Sequence, residues 1–194
     1  MTINFFRMSS EIKSHLSDSF GSEILIHTGI LANKCYQCGK CSAGCPVSTE
    51  MDYPPSMVLR MIQTEDPEEK EKLLRSMSIW LCVSCEMCLQ RCPMEIDIPT
   101  LMDYLRQRSI ASKKQHPKAS KIIAFHKAFL DSINVTGRLY EIGLVANYKL
   151  RSGSFMQDVG VAPEMFMKGK LSLTPEMIRN RKKISEIFRN TIKK

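Results

Sequence analysis

The stretch Cys35-Tyr36-Gln37-Cys38-Gly39-Lys40-Cys41-Ser42-Ala43-Gly44-Cys45-Pro46 returns later in the chain. It recurs as Cys82-Val83-Ser84-Cys85-Glu86-Met87-Cys88-Leu89-Gln90-Arg91-Cys92-Pro93, each cysteine displaced by 47 residues. A duplicated unit is the simple explanation of such a period. Each block reads C-x2-C-x2-C-x3-C-P, the bacterial ferredoxin run for a [4Fe–4S] cluster. A cubane offers four iron corners, and a tight loop with cysteines three residues apart can wrap three of them. Inward-pointing backbone N–H groups of such a loop can hydrogen-bond cluster sulfur and offset its negative charge. The proline after the fourth cysteine fixes φ, has no N–H, and turns the chain away.

In two-cluster proteins carrying this run, the fourth cysteine ligates the other cluster. Applied here, one [4Fe–4S] cluster takes Cys35, Cys38, Cys41 and Cys92, and a second takes Cys82, Cys85, Cys88 and Cys45. The alternative is local ligation, in which each block closes its own cluster. Zinc is a poor match, because structural zinc sites use two separated C-x2–4-C pairs rather than four cysteines within 11 residues, twice. Eight ligands use all eight cysteines. No thiol is left for a nucleophile or a redox dithiol, so no catalytic residue is expected. Neither a G-x-G-x-x-G after a strand nor a P-loop is visible. Substrate chemistry is therefore expected on another chain, with this one passing electrons.

Outside the blocks the pattern is helical. Between them, Pro54 and Pro55 punctuate the entry to a helix with Met57, Val58, Met61 and Ile62 on one face. Asp66, Pro67 and Glu69 form a second start signal, and Leu73, Leu74, Met77 and Trp80 extend that helix toward Cys82. Ile98-Pro99 opens another, with Leu101, Met102 and Leu105 apolar, which His116-Pro117 breaks. Residues 118–133 are again amphipathic, through Ile122, Ile123, Phe125, Phe129 and Leu130. Gly137 and Gly143 interrupt the next stretch, 153–175 reads as loop, and 176–192 as a last basic helix. Ile24-Leu25-Ile26 is the one strand candidate. The fold class is mainly α, with an N-terminal arm (1–29), a dicluster domain (30–110) and a basic helical extension that binds partners (111–194).

The 194 residues, 43% apolar and 25% charged, suit a globular protein. No apolar run approaches the roughly 18 residues of a membrane span, and Met1–Ser10 lacks an export signal. A cytoplasmic location is expected, where clustered cysteines bind metal rather than form disulfides. The net charge of +8 is uneven: residues 1–100 hold 9 Lys/Arg against 13 Asp/Glu, and the remainder 19 against 7. Such asymmetry suits a solvated or partner-facing basic surface, or nucleic-acid binding; no nucleic-acid motif accompanies it. His15, His27, His116 and His126 are scattered and read as surface or packing residues. The 13 methionines suit adaptable packing, and Trp80 suits packing between helices beside a cluster. Lys34 and Lys40 flank the first loop, where they either tune it or are simply solvated.

These two runs, separated by a helical stretch, resemble the α-helical ferredoxin family. That domain occurs in succinate dehydrogenase and fumarate reductase iron–sulfur subunits, anaerobic glycerol-3-phosphate dehydrogenase and heterodisulfide reductases. The wording from Cys35 to Val47, the short chain, and Met167-Lys168-Gly169-Lys170-Leu171 with Pro175 look most like the C subunits of soluble heterodisulfide reductases of methanogenic archaea. The strong part of the resemblance spans about residues 30–110. No cysteines remain for the plant-type [2Fe–2S] domain of the succinate dehydrogenase type, or for the CCG domains of the glycerol-3-phosphate type. The resemblance implies an electron-transfer subunit without its own catalysis. It would relay electrons from the flavin-containing A subunit of heterodisulfide reductase to the CCG-domain B subunit, which reduces the coenzyme M–coenzyme B disulfide in methanogenesis. Hydrogenase or formate dehydrogenase would feed the larger complex. The competing readings are an iron–sulfur subunit of another dehydrogenase, such as a quinone-linked one, and an iron–sulfur regulator binding nucleic acid.

Overall fold

The computed structural model describes residues 19–153, 155, 160, 162–169, 174–175 and 177–192. Their regular structure is helical throughout, joined by turns and short 3₁₀ segments. The chain divides into two compact units that meet in sequence at Pro117 and Lys118.

The first unit opens with α1 (Phe20–Thr28). Here the strand expected at Ile24-Leu25-Ile26 is corrected to helix. Three consecutive aliphatic residues favour a strand locally, but capping decides otherwise. The Ser22 N–H donates to Ser19 Oγ at 3.1 Å at the N-terminus, and Gly29, at φ 75°, ends the helix with its N–H on the Leu25 carbonyl. Ile24 is fully buried while Ile26 faces water, a helical rather than a two-faced pattern. The Glu65 carboxylate adds a second cap, accepting from Phe20 N–H at 2.8 Å and Gly21 N–H at 3.1 Å. A Cβ on Gly21 would stand 2.5 Å from Glu65 Oε1, so the glycine admits this carboxylate.

After the short α2 (Lys40–Ala43) come α3 (Pro55–Gln63) and α4 (Pro67–Arg75). Both start where prolines and Asp66 announce them, and the Asp66 carboxylate accepts from Glu68 N–H at 3.0 Å. The expected continuation of α4 to Trp80 does not occur. Ser76 turns extended (ψ 153°); Met77 N–H donates to Asp52 at 2.6 Å and Tyr53 N–H to the buried Ser78 hydroxyl at 2.7 Å. Those polar clamps stop the helix, and a separate turn, α5 (Ser78–Leu81), carries Ile79 and Trp80 into the core. Next are α6 (Met87–Gln90) and α7 (Ile98–Ala111), the latter capped by Asp97. α7 ends before the expected break at His116-Pro117, as Lys113 adopts φ 56° and Lys114 N–H bonds the Ser109 carbonyl. α7 packs on α1, α4 and α5, and α3 on α4. Ile24, Val58, Ile62, Leu73, Leu74, Ile79, Leu101 and Leu105 form the core between them.

The second unit contains α8 (Ser120–Thr136), α9 (Glu141–Ser152), the six-residue α10 (Ala162–Met167) and α11 (Arg181–Ile192). Gly137 does end α8, at φ 85°. Gly143, by contrast, lies inside α9: a Cβ there would stand 2.5 Å from the Tyr140 ring, which folds over the first turn. α10 occupies part of the expected loop. Glu176, Lys170 and Leu171 lie outside the described residues. No helix among the described residues is long and apolar enough to cross a membrane.

One half-buried charge ties three helices of the first unit together. Glu23 of α1 accepts from the Tyr104 hydroxyl at 2.7 Å and pairs with Arg108, both of α7, and with Lys70 of α4 at 3.2 Å. Burial raises its pKa, but the hydrogen bonds and charges of Tyr104, Lys70 and Arg108 outweigh this and hold it below the ordinary 4.5. A depressed carboxylate adds stability above its unfolded pKa and loses it as pH falls through the folded value. Glu23→Gln is therefore expected to lower the melting temperature near neutrality, with the gap from the parent protein narrowing below pH 4.5. Anaerobic melts across that range read this directly; a gap independent of pH would contradict the pairing.

Candidate metal centre

The two cysteine blocks fold alike, residue for residue. Positive φ falls at Gln37 (61°) and Gly39 (75°) in the first loop, and at Ser84 (52°) and Glu86 (61°) in the second, again 47 residues on. The short helices α2 and α6 follow at the same displacement. Cysteine burial repeats as well: the first and fourth of each block are half-buried, the second (Cys38, Cys85) exposed, and the third (Cys41, Cys88) buried. None forms a disulfide. Left-handed residues flanking the second cysteine curl the chain tightly, which is how a short loop can present three thiols to one side.

The two blocks pack through α2 and α6. At their junction the Arg91 side chain lies over Gly44, the equivalent position of the other block; a Cβ on Gly44 would come within 2.5 Å of Arg91 Cδ. This close approach carries each fourth cysteine toward the opposite loop. Cys45 lines a recess together with Cys82, Cys85 and Cys88, whose remaining wall includes Val47, Met51, Ile98 and Met102. On the other side, the Tyr36 phenol is raised in pKa by desolvation and by the thiols of Cys38, Cys92 and Cys35. Cys92 thus neighbours the first block.

Among the described residues, no three Cys, His, Asp or Glu side chains converge on a single-ion site. The thiols of Cys45, Cys82, Cys85 and Cys88 instead line a concave wall, the arrangement four separate iron corners require. Four thiols and apolar surroundings fit the donor set of a [4Fe–4S] cluster. Burial pushes the Cys88 thiol up to about 11, with Cys82 and Cys85 adding to the rise, and raises Cys41 in the same way, with Cys35 adding. Positive charge from iron would oppose that rise. Backbone donors are in place at sulfur: Gln37 N–H reaches Cys35 Sγ at 3.4 Å and Ile96 N–H reaches Cys92 Sγ at 3.4 Å.

Two residues that motif reading missed support the loops from outside. Gln63, at the end of α3, donates from Nε2 to the carbonyls of Ala32 (3.1 Å) and Cys35 (2.7 Å). Arg106 of α7 donates from Nε to the Ile79 carbonyl at 2.5 Å and from Nη2 to that of Cys82. Ile79 and Cys82 are the 47-residue counterparts of Ala32 and Cys35. Their donors are not: position 63 corresponds to 110 and 106 to 59, so equivalent contacts come from neighbouring helical turns. Of the remaining residues singled out from sequence, Trp80 is buried, while Lys34 and Lys40 are exposed. His27 stacks on Tyr104 with ring centroids 5.3 Å apart, away from any thiol role.

In comparison with known proteins, residues 31–96 match the 4Fe-4S dicluster domain family. The chain is, more particularly, similar to C subunits of heterodisulfide reductases. It is 32% identical over 92 residues to the CoB--CoM heterodisulfide reductase iron-sulfur C subunit of Methanopyrus kandleri, covering 46% of this chain and 45% of that one. Over 78 residues it is 35% identical to the C subunit of the ferredoxin:CoB-CoM heterodisulfide reductase of Methanosarcina acetivorans, covering 40% and 30%. Over 125 residues it is 25% identical to the C subunit of the H(2):CoB-CoM heterodisulfide,ferredoxin reductase of Methanothermobacter thermautotrophicus, covering 64% and 62%. These matches thus span from under a third to under two thirds of the relatives' own lengths.

The loop geometry has a direct consequence. A Cβ on Gly39 meets nothing within 4 Å, so only its backbone conformation resists substitution. Gly39→Ala is expected to cost about 1–2 kcal/mol, the left-handed penalty of an L-residue. Glu86→Gly should be neutral or stabilising by up to about 1 kcal/mol, since it releases that penalty in the second loop. Anaerobic denaturant titrations of the iron-loaded protein would show a loss of stability for Gly39→Ala and none for Glu86→Gly.

Proposed function

We propose that the chain is the electron-transfer subunit of a heterodisulfide reductase complex, holding two [4Fe–4S] clusters in crossed fashion. Cys35, Cys38, Cys41 and Cys92 would hold one; Cys82, Cys85, Cys88 and Cys45 the other. The observation that carries the ligand assignment is the recess shared by Cys45 with Cys82, Cys85 and Cys88. The relatives' names support the wider role.

Such clusters supply reversible one-electron transfer without bond breaking. The chain's own residues supply the rest. The eight thiols ligate; the N–H groups of Gln37 and Ile96 donate to sulfur; and Met51, Ile98 and Met102 exclude water from the second recess. This chain performs no substrate chemistry of its own. In this reading electrons pass between a flavin-containing A subunit and the disulfide-reducing B subunit, with hydrogenase or formate dehydrogenase upstream. The second unit, within the basic extension 111–194, serves as a partner-binding surface. Its exposed apolar residues Leu130, Val135, Val145 and Leu150 are what a partner would cover.

Paired cysteine variants test the crossing. If ligation is crossed, Cys38→Ala with Cys92→Ala damages one cluster and leaves about four irons, whereas Cys38→Ala with Cys45→Ala damages both. Local ligation reverses the two outcomes. Iron and acid-labile sulfide analysis with EPR of the dithionite-reduced protein decides between them. For the partner surface, Leu150→Asp is expected to abolish co-purification with the flavoprotein while leaving iron content unchanged; undiminished assembly would remove α9 from the interface.

A further inference from the structure

The pseudo-symmetric loops are supported by chemically different groups, and the difference is one of charge. On the first half, the carbonyls of Ala32 and Cys35 are held by the neutral amide of Gln63. On the second, the matching carbonyls of Ile79 and Cys82 are held by the guanidinium of Arg106. We propose that Arg106 is a positioning residue that makes the two sites electrostatically unequal, giving the cluster bound by Cys82 the higher reduction potential. The proposal rests on the cluster reading above and adds to it an internal direction.

Reduction adds one negative charge to a cluster. A cation fixed at the peptide of a ligating cysteine stabilises that charge, and a neutral amide does so far less. Arg106 is well placed for this, because its side chain is only 16% exposed and its fork is committed to two backbone carbonyls. Its third nitrogen pairs with Asp103 at 2.6 Å, but that carboxylate is 55% exposed, so water screens it more than it screens the guanidinium. The other charges of the two loops, Lys34, Lys40, Glu86 and Arg91, are exposed. Electrons would accordingly rest on the second site in preference to the first. The same fork also pins the loop in place, so charge and positioning must be separated by experiment.

The test uses the full chain, purified without oxygen with its clusters, in parent form and as Arg106→Gln and Arg106→Lys. EPR-monitored redox titration gives the midpoints; iron and sulfide analysis reports loading. The expected result is that Arg106→Gln keeps about eight irons and moves one midpoint to lower potential, leaving the other in place. Arg106→Lys, which keeps the charge, should restore most of the shift. In a Cys38→Ala background, which removes the first cluster, the surviving signal should show the Arg106→Gln shift. Unmoved midpoints in a fully loaded protein would overturn the proposal, as would equal shifts in the Gln and Lys variants or loss of half the iron on Arg106→Gln, which would make Arg106 a scaffold only. A parent protein without two cubane signals would instead refute the cluster reading itself, an outcome distinct from the rest.

Discussion

The contact between α2 and α6, with the Arg91 side chain laid over Gly44, sets the geometry on which the site depends. Each block by itself can turn three thiols to one side, because left-handed residues flank its second cysteine. The fourth thiol lies beyond the short helix, so where it points depends on what that helix packs against. Packing two copies against each other directs Cys45 to the second recess and Cys92 toward the first loop. Glycine at one of the paired positions permits the approach; arginine at the other supplies the side chain that fills it. Equal residues at both positions would either leave a gap or collide.

Around this junction the helices act as a clamp rather than as a large core. α3 closes over the first loop through Gln63 and α7 over the second through Arg106, while Glu23 joins α1, α4 and α7 into one body. Buried aliphatic residues supply the cohesion, at roughly 1.5–3 kcal/mol for each fully buried side chain. The polar clamps decide where helices stop. Asp52 and Ser78 end α4 early and so free α5 to enter the core beneath Cys82.

Legibility in the sequence divides along the same physical line. The two cysteine runs and the helix starts at Pro55, Asp66 and Ile98 could be read because each is a local signal. The helix at Phe20–Thr28 was also readable from Ser19 and Gly29, and three adjacent aliphatic residues obscured it. The stop after Arg75 could not be read locally, since it depends on Asp52 and Tyr53, some 25 residues away. Gly143 does not break its helix for a related reason: the ring of Tyr140, folded over the first turn, leaves no room for a Cβ. Gln63 and Arg106 escaped because the internal repeat, so informative for cysteines, misaligns them by one helical turn.

That misalignment bears on how a duplicated fold acquires a direction. Strict symmetry would make two sites of equal potential and equal access, between which an electron has no preferred rest. The loops keep their symmetry where geometry demands it, in the thiols and the left-handed residues. They depart from it in the residues behind and in front of them. Behind stand an amide and a guanidinium. In front, the exposed residue after the first cysteine is an aromatic in one loop, Tyr36 (60% exposed), and an aliphatic in the other, Val83 (62% exposed). On the proposed reading, each exposed second cysteine offers its cluster a short route to the surface, one on either side of the junction. A relay needs two such doors that differ, and the differences lie in residues a duplicated sequence is free to change without disturbing its ligands.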